Sequence, residues 1–167
     1  LDATAQARAT SVYLPHAVLP MLPFRLADDL CSLRANVPRL AMFIEMVLDD
    51  DNNVVSSEAH EAVILVKENL AYEDTLDDDR WDGLFKLAEA LQADELRLNI
   101  HQGEQRPRIH GENELSIEVK WPNKATKMIE TFMVKTNNIV GEMLGKAGAS
   151  LPWRCHPMPD SIDVRDL

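Results

Sequence analysis

The chain has 167 residues, 46% of them hydrophobic and 27% charged, and a formal net charge of −11. That length suits one domain with a real core, and the composition excludes a collagen, a low-complexity disordered chain and a disulfide scaffold. So acidic a balance argues against nonspecific binding to nucleic acid, which rests on a basic surface, while leaving room for a narrow, locally basic groove.

Residues 1–10 are small and polar, a helix or a frayed end, with no charged-then-apolar leader among them. Ser11 to Leu14 reads as a short strand. Pro15, Pro20 and Pro23 then forbid a helix interior or a central strand, so this stretch is an ordered extended connection. Arg25 to Leu33 suits a short helical turn. Leu40 to Leu48 is an apolar run of strand length, the Asp and Asn residues at 49–53 supply turn chemistry, and 54–70 reads as the return strand of a long antiparallel hairpin. The aspartates at 77–79 mark a helix entrance, followed by Trp81, Leu84, Phe85, Ala88 and Leu91 on one helical face.

Residues 99–113 are polar and read as irregular. In 114–121 Leu115, Ile117, Val119 and Trp121 alternate with polar neighbours, the pattern of a half-buried strand that Pro122 stops. Asn123 suits a helix N-cap. From Ala125 to Leu144 apolar residues recur at i, i+3, i+4 and i+7, which predicts a long amphipathic helix ended near Gly145 and Gly148. The segment PWRCH reads as a short strand and SIDVRDL as the start of a helix that the chain cuts through. The expected fold class is α+β: a mostly antiparallel sheet from 12–14, 40–48, 54–70, 114–121 and 151–155, with the 123–144 helix packed across it.

No complete catalytic constellation is visible. The carboxylate groups at 28–29, 49–51 and 77–79 read as turns and caps, because adjacent carboxylates diverge and hold a metal only when the fold adds others. The five histidines are scattered, no serine has a nucleophile-elbow setting, and there is no phosphate-binding glycine loop. No apolar run reaches the ~18 residues of a membrane span, so a membrane partner is not expected. Cys31 and Cys155 have neither CxxC nor metal spacing; two buried thiols in a reducing compartment, the cytoplasm, is the reading.

The segment SVYLPHAVLPMLPFRLADDLCSLRANVPRLAM, with its YLP, PMLP and DDLCSLRAN elements, resembles the catalytic domain of the ribonuclease II, or RNB, family of hydrolytic 3′→5′ exoribonucleases. VKENLAYED, KMIETFMVKTNNIVGEML and PWRCH follow in that family's order. The resemblance implies that 1–167 is a single partial RNB domain with an α+β fold, and that the partner is single-stranded RNA rather than DNA. It carries three residues over. Tyr13 of the YLP element and Tyr72 match tyrosines near the active-site end of the RNA channel, the second thought to clamp the RNA 3′ end. Glu130 matches a helix glutamate that contacts the RNA. Aromatic faces stack any base, and a carboxylate accepts from a ribose hydroxyl, which favours RNA over DNA. By themselves the same residues also read as packed aromatics and a solvated helix carboxylate.

The departures are equally informative. The family's four-aspartate cluster, which holds Mg²⁺ for phosphodiester hydrolysis, precedes the YLP element and is not in this sequence. A later arginine in a serine-proline-isoleucine-arginine segment is also outside it, as are the flanking RNA-binding β-barrels. Where relatives carry a stacking phenylalanine, this chain has Ile100 in Leu98-Asn99-Ile100. The expectation is a channel wall and 3′-end clamp without catalytic residues or metal ligands of its own. Mg²⁺ would belong to the intact family member, and exposed apolar faces would be covered by the missing parts of the parent chain. The alternative is a non-catalytic RNA-binding relative that has lost its metal site.

Overall fold

A computed structural model describes residues 2–93, 103–111, 114–150 and 152–153. Its elements in chain order are α1 (Asp2–Arg8), β1 (Val12–Tyr13), β2 (Val18–Leu19), β3 (Pro38–Leu48), β4 (Val54–Leu65), α2 (Asp82–Ala93), β5 (Glu104–His110), β6 (Glu114–Lys120) and α3 (Lys124–Lys146). The class is α+β with antiparallel pairing throughout the strands, as the sequence predicts. The strands do not share one sheet: the described residues form three two-stranded ribbons, β1–β2, β3–β4 and β5–β6.

The prolines shape the first ribbon. Val12 pairs with Leu19 and Tyr13 with Val18, and the Met21 N–H donates to the Ser11 hydroxyl at 2.9 Å, so the extended stretch folds back on itself. A single π-helical turn, Arg25–Leu30, follows and closes with the Cys31 N–H donating to the Leu26 carbonyl at 2.9 Å. Cys31 emerges from this turn exposed, not buried as its residue type suggests. Cys155 and the strand and helix expected after residue 153 lie outside the described residues.

The long hairpin forms as its pattern predicts. Pro38 pairs with Leu65 and the register runs unbroken to Val47 opposite Ser56, where a bulge shifts it. The return strand ends at Leu65, short of the expected residue 70. The Asn69 amide explains the stop: it accepts from the Ala35 N–H at 2.6 Å and donates to the Leu33 carbonyl at 2.9 Å, so the chain is drawn off the ladder. One side of the ribbon is bare. Leu40 is 86% exposed, and with Met42 and Val63 it lines an open depression of about 550 Å³.

At the hairpin tip Asn52 takes the left-handed conformation (φ 64°). The Asp49 carboxylate accepts from the backbone N–H groups of Asn53 (2.8 Å) and Asp51 (3.0 Å). The Asn53 backbone bond is the largest of the causes that hold this carboxyl below the usual carboxylate value, with the Asn53 amide adding to it. A depressed folded-state pKa stabilises fully above the unfolded value of about 3.9 and loses that stabilisation as the pH falls through the folded value. Acid titration of the fold is therefore expected to show a decline beginning below about pH 4 that is shallower in Asp49→Ala. Circular dichroism against pH checks this, and parallel acid slopes for the two proteins would contradict it.

The core lies between α2 and α3. The Asp78 carboxylate caps the turn at Asp79–Trp81 by accepting from the Arg80 N–H, and α2 continues from it. Phe85 and Ala88 of α2 pack with Ala125 and Met128 of α3, and Leu76, Trp81 and Phe132 close the edges. The α3 helix thus rests on α2 and not across a sheet. A 3.6-residue periodicity identifies a buried face but not what covers it, and a helix surface of small and flexible residues fits this one. Further along α3, a Cβ at Gly141 would sit 3.3 Å from the Trp153 ring, so the helix accepts that indole against bare backbone.

The polar stretch around 104–110 is a strand, not irregular chain. It pairs with β6 from Glu104 opposite Lys120 to His110 opposite Glu114, around Gly111 at φ 65°. Both strands are exposed along their length, so β6 is not half-buried among the described residues. None of the described helices is long and apolar enough to cross a membrane.

Candidate functional site

A pocket of about 200 Å³ forms where the turn after β4, the β5–β6 ribbon and the start of α3 meet. Tyr72 enters from the turn. Its carbonyl accepts from the buried Thr75 hydroxyl at 2.7 Å, and the Asp74 carboxylate accepts from the Ala71 N–H at 2.8 Å, so the tyrosine is pinned on both sides. Glu104 and Arg106 come from alternate positions of β5 and therefore share a face. Lys120 ends β6, and Trp121 and Pro122 follow it.

Asn123 then starts α3 with a reciprocal cap. Its side-chain oxygen accepts from the Thr126 N–H, and its own N–H donates to the Thr126 hydroxyl, both at 2.9 Å. Thr126 and Glu130 are four apart on the helix and both reach the pocket.

The pocket's charges are arranged in pairs. Arg106 donates to the Glu104 carboxylate at 2.7 Å. That bond holds the Glu104 carboxyl below its usual range and raises the Arg106 guanidinium. Lys120 lies 3.3 Å from Glu73. The Glu73 carboxyl is lowered first by its own backbone N–H and then by the Lys120 ammonium. Both cations remain about half-exposed, so each pair is a surface pair that contributes little and exchanges readily with another anion.

Of the three residues singled out in the sequence, Tyr72 and Glu130 line this pocket together, although 58 positions separate them in the chain. Tyr13 does not line it. It stands on β1 opposite Val18, 79% exposed. Ile100 lies outside the described residues. Arg106, Lys120 and Trp121 also line the pocket, although no motif in the sequence singles them out. Opposite charges face each other across the ribbon, Glu104 with Lys120 and Arg106 with Glu118, a signal that needs the register to be read.

Among the described residues the carboxylates do not gather into a magnesium site. Asp49 is taken up by its turn, Asp78 by Arg80 at 2.7 Å, and Asp29 by Arg39 at 2.9 Å and Arg34 at 3.4 Å. Among the described residues no group of three or more His, Cys, Asp or Glu could hold a metal ion.

The model of the RNB domain family matches residues 1–167. An α+β chain matched over its whole length is defined by that match: it belongs to the RNB domain family. It is similar to ribonuclease R of Thermotoga maritima, 35% identical over 188 aligned positions that cover 100% of this chain and 26% of that protein. Ribonuclease R of Mycoplasmopsis pulmonis is 31% identical, with 95% of this chain and 24% of that protein covered. Among solved structures, the apo form of Mycoplasma genitalium RNase R superposes with a TM-score of 0.85 at 27% identity, over 95% of this chain and 28% of that one. The complex of M. genitalium RNase R with ribose-methylated single-stranded RNA matches with the same TM-score, 0.85, at 27% identity over 95% of this chain and 28% of that one. The chain thus spans about a quarter of the length of the curated relatives it matches.

Proposed function

We propose that this chain forms part of the RNA path of a hydrolytic 3′→5′ exoribonuclease that acts on single-stranded RNA in the cytoplasm. The observation that carries the reading is the convergence of Tyr72 and Glu130 on one pocket beside Arg106 and Lys120. An aromatic face, a ribose-hydroxyl acceptor and two exchangeable cations are what a sequence-independent RNA strand requires. The likeness to an RNase R bound to single-stranded RNA supports it. Tyr13 contributes a second stacking face nearer the chain's start.

Catalytic residues and Mg²⁺ belong to other parts of the parent protein. Those parts also cover the bare face of β3–β4. A second reading, a non-catalytic RNA-binding relative, is favoured by the net charge of −11 and by the aliphatic Ile100 where relatives carry a stacking phenylalanine. Both readings require RNA binding at this pocket.

Tyr72→Ala is expected to weaken binding of a labelled single-stranded oligoribonucleotide by about 5- to 150-fold, the range that 1–3 kcal/mol of stacking gives. Glu130→Ala is expected to lower affinity for RNA more than for the DNA of the same sequence. Fluorescence anisotropy of the oligonucleotide measures both. Unchanged binding in both variants would remove this pocket from the RNA path.

A further inference from the structure

We propose that Trp121 is an RNA-base stacking platform at this pocket, a role that rests on the single-stranded RNA reading above and adds a residue to it. The indole is held with one face backed and the other open. A Cβ at Gly103 would lie 3.3 Å from both Cδ2 and Cε2 of Trp121, the two atoms of the ring-fusion bond. That bond is internal to the bicycle, so equal close approach to both atoms comes from above the ring plane. Gly103 therefore seats one face of the indole without a side chain.

The rest of the ring is free: Trp121 is 65% exposed and lines the pocket with Tyr72. A large apolar surface left in water in this pocket is poised for a flat apolar partner. Arg106 and Lys120 line the same pocket, each paired with an exposed carboxylate. Phosphates displace such carboxylates at little cost. A nucleobase on the indole, with its backbone on these cations, engages the exposed ring and both cations together. Stacking on an indole is indifferent to base identity, as a processing channel needs.

The test is a walk of single abasic sites along an oligoribonucleotide, with binding to the full chain read by anisotropy of a terminal dye. The original chain is expected to lose about 5- to 150-fold in affinity at one abasic position. In W121A that penalty disappears, while Y72A keeps it. W121F, which retains a flat ring, preserves the penalty, and W121L, which retains only apolar bulk, removes it. This pair decides the question should W121A fail to fold by circular dichroism. An abasic profile in W121A and W121L that matches the original chain overturns the role of Trp121 while leaving the pocket an RNA site through Tyr72. That same result would mark the exposed indole as a seat for another part of the parent polypeptide. Absence of any RNA affinity in the original chain overturns the RNA reading and this role with it.

Discussion

Phe85→Ala is expected to destabilise the chain by about 3 kcal/mol, the low end of the range for truncating a buried phenylalanine. The ring is 6% exposed and joins α2 to Ala125 and Met128 of α3. Its edge is shared by Leu76, Trp81 and Phe132, and the Lys124 ammonium sits 4.6 Å from its centroid. Removing the ring deletes contacts to both helices and a cation–π partner at once. The estimate stays at the low end because an open cleft of about 240 Å³ already borders Phe85, Ala88 and Met128, so the neighbours have room to settle.

Against a usual domain stability of about 5–15 kcal/mol, that loss is a large share. Urea unfolding measures it as a lowered midpoint at unchanged slope. Leu84→Ala on the same helix is the control, because Leu84 is 39% exposed and stands outside the α2–α3 cluster, so its truncation is expected to cost about 1 kcal/mol. Equal costs for the two variants would mean that the α2–α3 contact is not the core.

Much of this core was legible from the order of residues. The 3.6-residue repeat placed Phe85, Ala88, Leu91, Ala125, Met128 and Ile139 on buried faces, and these six are buried, whereas Leu84, Ile129 and Met133 of the same predicted faces are exposed. The hairpin of β3 and β4 was legible for a similar reason: β-branched runs flank a segment whose Asp and Asn residues tolerate the left-handed turn. What covers each face was not legible, because periodicity is local and the partner is set by the chain's path. Hence α3 was expected on a sheet and lies on α2.

Strand β5 escaped notice because Glu104 to Arg108 shows no apolar alternation. Cross-strand charge pairs hold it, as in the 2.9 Å contact of Arg108 with Glu118, and these appear only once the register is known. Tyr72 and Glu130 were singled out by family likeness, not by any local pattern, and only the fold shows that they share a pocket. Trp121 read as one more apolar residue of an alternating strand. Its position at the strand end, where Pro122 turns the chain and Gly103 makes room, gives it another surroundings.

This chain incubated alone with single-stranded RNA and Mg²⁺ is expected to leave the RNA intact, whereas an active parent protein shortens it from the 3′ end. The size of the contrast follows from the chemistry. Enzymes typically accelerate their reactions by about 10⁶-fold or more, so a strand-binding surface without its catalytic groups falls to the background rate and not to a modest fraction of full activity. Among the described residues no three such groups could hold a metal ion, and one aspartate of each acidic cluster has another partner: Asp49 closes a hairpin, Asp78 caps the Asp79–Trp81 turn and pairs with Arg80, and Asp29 bridges two arginines. Freeing one of them for a cation would not assemble a cluster. Denaturing gels of a 5′-labelled oligoribonucleotide over a time course read the outcome. A ladder of 3′-shortened products that co-purifies with the chain and vanishes in Tyr72→Ala would overturn the expectation. Binding without shortening places the chain's own contribution in holding the strand, and Tyr72, Glu130 and Trp121 are the residues through which it would do so.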